Sequence, residues 1–139
     1  MSEPQTKPEG PFAGCGAFIL NSAGDLLLIQ RLREPEAGAW GLPGGKIDFC
    51  EPAKVATVRE IREELGIEIE LKKLAGLTET IDAGDGKHWV APVYESEIVS
   101  GEPEIQEPEK HGGCGWFAMD ALPEYLTTPT RQILDQQSE

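Results

Sequence analysis

Residues 41–66, GLPGGKIDFCEPAKVATVREIREELG, constrain the fold more than any other stretch of the chain. A loop with three glycines and a proline stands directly ahead of a helical pattern whose two sides differ in chemistry. Pro52 opens that pattern in the first turn, where its fixed φ and missing N–H do no harm, and Gly66 closes it at the C-cap. At about 100° per residue, Val55, Val58, Ile61 and Leu65 fall on one face. Glu60, Glu63 and Glu64 fall on roughly the opposite side, and Ala53, Ala56 and Thr57 line that side and leave room above it. The expectation is a helix with its apolar face in the core and three clustered carboxylates on the other. Arg62, beside the apolar face, is explained by its nearness to the helix end.

Such a helix needs a surface to pack on, and the flanking sequence reads as short strands. Phe12–Leu20 is apolar and small, the turn NSAGD follows, and residues 26–32 read as the returning strand of a hairpin. Residues 33–46 are dense in turn formers and read as a loop. IEIEL (67–71) alternates strictly, Gly76 breaks the run, and LTETID (77–82) continues extended. AGDGK (83–87) supplies a hairpin turn and residues 88–99 return. Residues 100–113 read as a Pro/Glu/Gly-rich loop, 114–119 as a short strand and 129–137 as a closing helix. This order predicts an α/β (α+β) fold, a mixed β-sheet between helices. Residues 1–11 read as a flexible N-terminal tail and 12–139 as a single domain.

Lys and Arg number 12 against 25 Asp and Glu, a formal net charge of −13. General charge attraction to a nucleic-acid duplex or an anionic membrane is therefore excluded. An anionic ligand needs a bound cation or a local basic patch to offset the repulsion. Cys15, Cys50 and Cys114 form no CxxC pair and no Cys/His cluster, so reduced thiols are expected. The N-terminal segment lacks the apolar run of a leader, and no stretch is long enough to span a membrane. The expectation is a soluble, cytoplasmic protein, monomer or homodimer. Taken alone, REIREE reads as a solvated face with an Arg59–Glu63 pair. Three neighbouring like charges repel, however, and a hard divalent cation is their natural compensation.

The spacing from loop to helix narrows the choice. Gly45, five residues, Glu51, seven residues, then Arg59-Glu60-Ile61-Arg62-Glu63-Glu64-Leu65-Gly66-Ile67 match the Nudix box, G-x5-E-x7-R-E-U-x-E-E-x-G-U, at every defined position. The chain thus resembles a Nudix hydrolase, and the IQR strand, the WGLPGGK loop and the terminal GWF…LP…helix resemble small single-domain, MutT-like members. The resemblance implies an α/β/α sandwich. It also implies cleavage of a phosphoanhydride in a nucleoside diphosphate derivative by water, with Mg²⁺ or Mn²⁺ as cofactor and a small nucleotide as partner.

Carried over by position, the resemblance makes Glu60 and Glu64 the principal metal ligands, with Glu63 as ligand or water activator and the Gly44 carbonyl as a further ligand. Glu51 would help place Arg59, and Arg59 would orient carboxylates by a bidentate contact. Arg31 and Lys46 are candidates for the substrate's phosphates, and Phe12 and Trp89, with Trp116 and Phe117, for stacking on a base. Each of these also reads as an ordinary surface or core residue. The general base is Glu63, or Glu107 or Glu109 in the loop before the last strand, with Glu109 favoured from its spacing to Trp116. The EPEK…W…LP pattern is similar to members that split nucleoside triphosphates into monophosphate and pyrophosphate. ADP-ribose, a nucleotide sugar or another pyrophosphate is the alternative substrate, and a catalytically silent nucleotide sensor the contrasting class. Intact Glu60, Glu63 and Glu64 argue against silence. One departure stands out: Cys50 occupies a position where members commonly carry glycine, and a positive φ there would strain it.

Overall fold

The computed structural model describes residues 10–138. The flexible tail expected over 1–11 falls largely on residues 1–9, outside the described residues. The strands are β1 (Phe12–Ile19), β2 (Leu26–Arg31), β3 (Trp40–Gly41), β4 (Gly44–Lys46), β5 (Glu68–Asp82), β6 (Lys87–Ser100) and β7 (His111–Phe117). The helices are α1 (Ala53–Leu65) and α2 (Thr128–Gln137). One sheet has the order β4-β1-β6-β5 and the other β3-β2-β7. β1 runs parallel to β6, and the remaining pairs are antiparallel. The expected mixed arrangement between helices is present, divided into two sheets.

Alternation along the central strands builds two cores. Ala17 and Ile19 of β1 with Leu27 and Ile29 of β2 pack under Ile61 and Leu65 of α1. Phe18, Leu26 and Leu28 point the other way, toward Val93, Leu126 and Ile133 of α2. This double burial explains a correction. The turn predicted at 21–25 forms, with Asn21 Oδ1 accepting from the Ala23 and Asp25 amides at 3.0 and 2.9 Å. The strands it joins are not a paired hairpin, because after one bridge at Leu20–Leu26 they part into different sheets. Strands buried on both faces take interior places with other partners.

Three further boundaries differ from the sequence reading. The loop assigned to 33–46 contains β3 and β4, which carry ladder hydrogen bonds without strand-like side chains. β5 runs through Gly76 as one strand with irregular register there rather than a break. β7 begins at His111, inside the loop assigned to 100–113. The buried face of α1 is also rotated from expectation: Ala56, Thr57, Ile61, Glu64 and Leu65 are buried, while Val55 is 55% exposed. Small side chains at 56 and 57 let the helix approach the sheet along the edge that carries Glu64. Arg62 points outward and pairs with Glu68, Nη2 donating to Oε1 at 2.8 Å.

The free edge of β5 is covered by glutamine amides. Gln132 Nε2 donates to the Glu79 carbonyl at 2.7 Å and Gln132 Oε1 accepts from its amide at 2.9 Å. Gln136 does the same at Leu77, at 2.8 and 3.2 Å. Four helical residues rise about 6 Å and two strand residues about 6.7 Å, so one helix turn matches one strand repeat. These amides satisfy edge groups that would otherwise invite another strand. Gln136→Ala is expected to lower stability by about 1–2 kcal/mol in urea unfolding and to speed hydrogen exchange at Leu77. Unchanged exchange there would refute the clamp. Among the described residues no helix is long and apolar enough to cross a membrane.

Candidate active site

The site forms where α1 leans on β4. Gly44 N–H donates to Glu64 Oε1 at 2.9 Å, and Lys46 N–H to Glu60 Oε2 at 3.3 Å. A side chain at Gly44 would run into the Cys15 carbonyl, and one at Gly45 into the Glu60 carboxyl. The paired glycines therefore serve close approach, and they let the two helix carboxylates lie against backbone.

Arg59 sits among four acids. Its Nε and Nη2 grip Glu51 at 2.7 and 2.9 Å, and Nη1 reaches Glu63 at 2.9 Å and Glu60 at 3.2 Å. Asp48 lies 3.6 Å from Nη2, which also donates to the Lys46 carbonyl at 3.0 Å. The Arg59 hydrogen bonds, helped by the Asp48 amide, hold the Glu51 carboxyl down to about 2, and Arg59 is raised in return, chiefly by its bonds to Glu51. The turn that presents Glu51 closes with Asp48 N–H on Glu51 Oε1 at 3.0 Å and places Cys50 at φ 68°. That is the left-handed conformation glycine adopts without penalty. Cys50→Gly is expected to raise stability by roughly 0.5–1 kcal/mol, read as a higher thermal midpoint. A lower midpoint would show that the thiol makes a compensating contact.

Glu64 is 7% exposed, and burial pushes its carboxyl up to about 8, against the pull of the Gly44 amide. Glu60 and Glu107 add to the rise by like-charge repulsion. Glu107 comes from the loop after β6, which is stitched to the end of α1: Glu104 N–H meets the Leu65 carbonyl at 3.1 Å and Gln106 N–H that of Glu64 at 3.0 Å. A turn follows, in which the Lys110 and His111 amides donate to the Glu107 carbonyl at 2.9 and 3.1 Å. It sets Glu107 and His111 beside Glu64, with one ligand atom of each within 4.8 Å of the others. Burial lowers the basicity of His111.

Of the residues predicted from sequence, Gly44, Arg59, Glu60, Glu63 and Glu64 are brought together, with Glu63 exposed and tied to Arg59. Glu109 is exposed and lies outside the group, and Glu107 occupies the place beside Glu64. Arg31 is tethered through Nε to the Pro35 carbonyl at 2.8 Å and faces His111 across the β2–β7 ladder. Lys46 is exposed next to Glu60's anchor. Phe12 and Trp89, register partners at the start of the β1–β6 pair, have ring centroids 5.3 Å apart and planes tilted by 37°. Phe117 packs edge-on against Trp40 in the α2-side core, and Trp116 packs in the core under α1. His111 was not singled out from sequence. The one available signal was its spacing of four from Glu107 across Pro108, which suits a tight turn.

The residues fit a divalent cation on their own chemistry, since oxygen donors from Glu60, the buried Glu64 and the β4 backbone lie together and like-charged carboxylates call for a cation between them. Carboxylates held this close to the β4 backbone define a site suited to a divalent cation. A model of the NUDIX domain matches residues 10–137. The chain is 30% identical over 117 residues to an ADP-ribose pyrophosphatase of Methanocaldococcus jannaschii, covering 84% of this chain and 68% of that one. It is 32% identical over 123 residues to a Bacillus subtilis protein provisionally named an 8-oxo-dGTP diphosphatase, covering 86% and 77%. The crystal structure of a MutT NUDIX hydrolase from Burkholderia pseudomallei superposes with a TM-score of 0.88 at 54% identity, covering 92% of this chain and 98% of that one. The chain belongs to the Nudix family of hydrolases.

Proposed function

We propose that the protein hydrolyses a nucleoside triphosphate to the monophosphate and pyrophosphate, with Mg²⁺ or Mn²⁺ held by Glu60, Glu64 and the Gly44 carbonyl. The observation that carries this is the pair of helix carboxylates pressed against the β4 backbone, with Glu64 buried and Glu60 beside it. A bound divalent ion supplies charge neutralisation for the polyphosphate and a more acidic water. The chain's own residues do the rest. Glu107 accepts the proton of the attacking water as its oxygen bonds to phosphorus and the anhydride P–O bond breaks. Glu107 is preferred over Glu109 because it stands beside Glu64, and over Glu63 because Arg59 occupies Glu63. Arg59 holds Glu51, Glu60 and Glu63 in one arrangement, so it is a positioning residue. Arg31 and Lys46 bind phosphate oxygens, and Phe12 or Trp89 offers the base an aromatic ring to pack on.

The protein acts on free nucleotides as a monomer or homodimer, and its three unbonded cysteines, Cys15, Cys50 and Cys114, suit a reducing, cytoplasmic setting. The test is phosphate-product analysis with Mg²⁺ across nucleoside triphosphates and ADP-ribose. Pyrophosphate with monophosphate supports the proposal. AMP with ribose 5-phosphate as the dominant products would favour the second reading, to which the name of the M. jannaschii relative points. Binding without turnover would leave a nucleotide sensor.

A further inference from the structure

We infer that Glu36 is a positioning residue for substrate binding: anchored on the N-terminus of α2, it fixes the Pro35 carbonyl that aims the Arg31 guanidinium at the phosphates. The inference rests on the reading above that Arg31 binds phosphate oxygens, and it adds the device that directs that side chain. Arg31 is the register partner of His111, whose Nε2 stands 3.6 Å from Glu64 Oε2, so the end of β2 borders the site. Among the described residues the Arg31 side chain has one partner, the Pro35 carbonyl, which accepts from Nε at 2.8 Å. That bond fixes the plane of the guanidinium and leaves both Nη groups to donate. A planar fork with its outer edge open is the shape that meets a phosphate with two parallel bonds.

The carbonyl that holds Arg31 is itself held from a distant part of the chain. Residues 31–39 close on themselves, with Arg31 N–H on the Ala39 carbonyl at 2.9 Å and Gly38 N–H on the Arg31 carbonyl at 2.8 Å. Within this loop Arg33, Glu34 and Pro35 are exposed, whereas Glu36 is half-buried. Both Glu36 carboxylate oxygens accept from the Thr128 N–H, at 3.1 and 3.2 Å, and Oε2 accepts from Thr128 Oγ1 at 2.9 Å. Thr128 opens α2, where the first amides lack helical partners and the helix dipole favours negative charge. Arg131 Nη2 donates to Thr128 Oγ1 at 3.2 Å, which leaves the hydroxyl proton for Glu36. The Glu36 backbone has φ 62°, a left-handed conformation that residues with a side chain adopt at a cost. The carboxylate bonds, with Ala39 N–H on the Glu36 carbonyl at 3.0 Å, hold the chain in that turn, and Pro35 immediately before it meets Arg31. An arginine loses much rotamer freedom when it binds an anion. With Nε tied beforehand, part of that loss is taken on folding instead.

The experiment measures KM and kcat for nucleoside triphosphates in Glu36→Ala, Glu36→Gly, Glu36→Gln, Arg31→Ala and the Arg31→Ala/Glu36→Ala double variant. It is paired with nitrogen-15 spectra of the Nε–H groups, which are few because the chain has five arginines. Glu36→Ala and Glu36→Gly should raise KM about tenfold and leave kcat within about twofold, because ground state and transition state lose the same contact. Glu36→Gly takes up the left-handed turn freely, so it removes the anchor without straining the backbone. Glu36→Gln keeps an acceptor oxygen for Thr128 and should return KM to within about threefold of wild type. In the Arg31→Ala background Glu36→Ala should change KM by less than about twofold, since a residue acting through Arg31 has nothing left to act on. The Arg31 Nε–H should exchange slowly with water in wild type and quickly in Glu36→Ala, and inorganic pyrophosphate should shift it in wild type alone. A wild-type KM in Glu36→Gly, or an equal rise in KM from Glu36→Ala with and without Arg31, overturns the inference. If wild type releases pyrophosphate and Arg31→Ala keeps its KM, the function stands and only this inference falls. If wild type turns over no nucleoside triphosphate while pyrophosphate shifts the Arg31 Nε–H in wild type and not in Glu36→Ala, the function reading falls and the anchor stands.

Discussion

Glu64→Gln is expected to lower turnover by about three orders of magnitude or more while making the metal-free protein more stable at pH 8. The activity loss follows from removing a carboxylate proposed to hold the cation, in a reaction whose barrier depends on neutralising phosphate charge. The gain in stability follows from burial. The Glu64 carboxyl titrates near 8 in the folded chain against an ordinary value of 4.5, so the folded state keeps a proton that the unfolded chain gives up. The penalty is absent below about pH 4.5, grows as pH rises to about 8, and is constant above. At about 1.4 kcal/mol per unit it amounts to at most roughly 5 kcal/mol. Glutamine keeps the acceptor for the Gly44 amide and never ionises, so the variant should show no such slope. Urea unfolding in chelator at pH 5 and pH 8 measures this. A wild type equally stable at both values would show that Glu64 is not raised. In wild type at pH 7, Mg²⁺ binding should release close to one proton, detected calorimetrically in buffers of different ionisation heat.

The same residue shows where sequence was legible and where it was not. Glu60, Glu63 and Glu64 stand at fixed spacing from Gly45, and that pattern identified the family without any packing information. Which side of α1 goes inward was misjudged, because a helical wheel ranks Val55 above Ala56 and Thr57 by hydrophobicity. Packing instead ranked them by how closely they let the helix approach β1 and β4. The close side won, and it carried Glu64 into the interior with it. The β2 run Leu26–Ile29 is buried throughout, yet a turn beside it looked like a hairpin. Nothing local distinguishes a paired return from a strand that crosses to a second sheet. Glu107 and His111 were hidden differently. Their position depends on backbone bonds from residues 104 and 106 to the end of α1, which leave no side-chain pattern.

Arg59→Lys should lower kcat about 100-fold and leave the KM for nucleotide within about threefold, although the charge is conserved. The arginine makes two parallel bonds to Glu51 and reaches Glu60, Glu63 and the Lys46 carbonyl with its remaining edge. An ammonium has no planar fork and cannot serve these acceptors at once. Glu60 would then shift relative to Gly45, and a displacement near 1 Å at a reacting centre costs about that factor. Arg59→Ala removes the charge as well, leaving Asp48, Glu51, Glu60 and Glu63 without their shared partner, so it should also unfold at lower urea concentration. Saturating Mg²⁺ should restore part of that stability, because a cation between the carboxylates relieves the same repulsion. It should not restore kcat, because it cannot reproduce the grip on Glu51. If Arg59→Lys turns over like wild type, net charge alone is what the acids require, and the bidentate geometry is incidental.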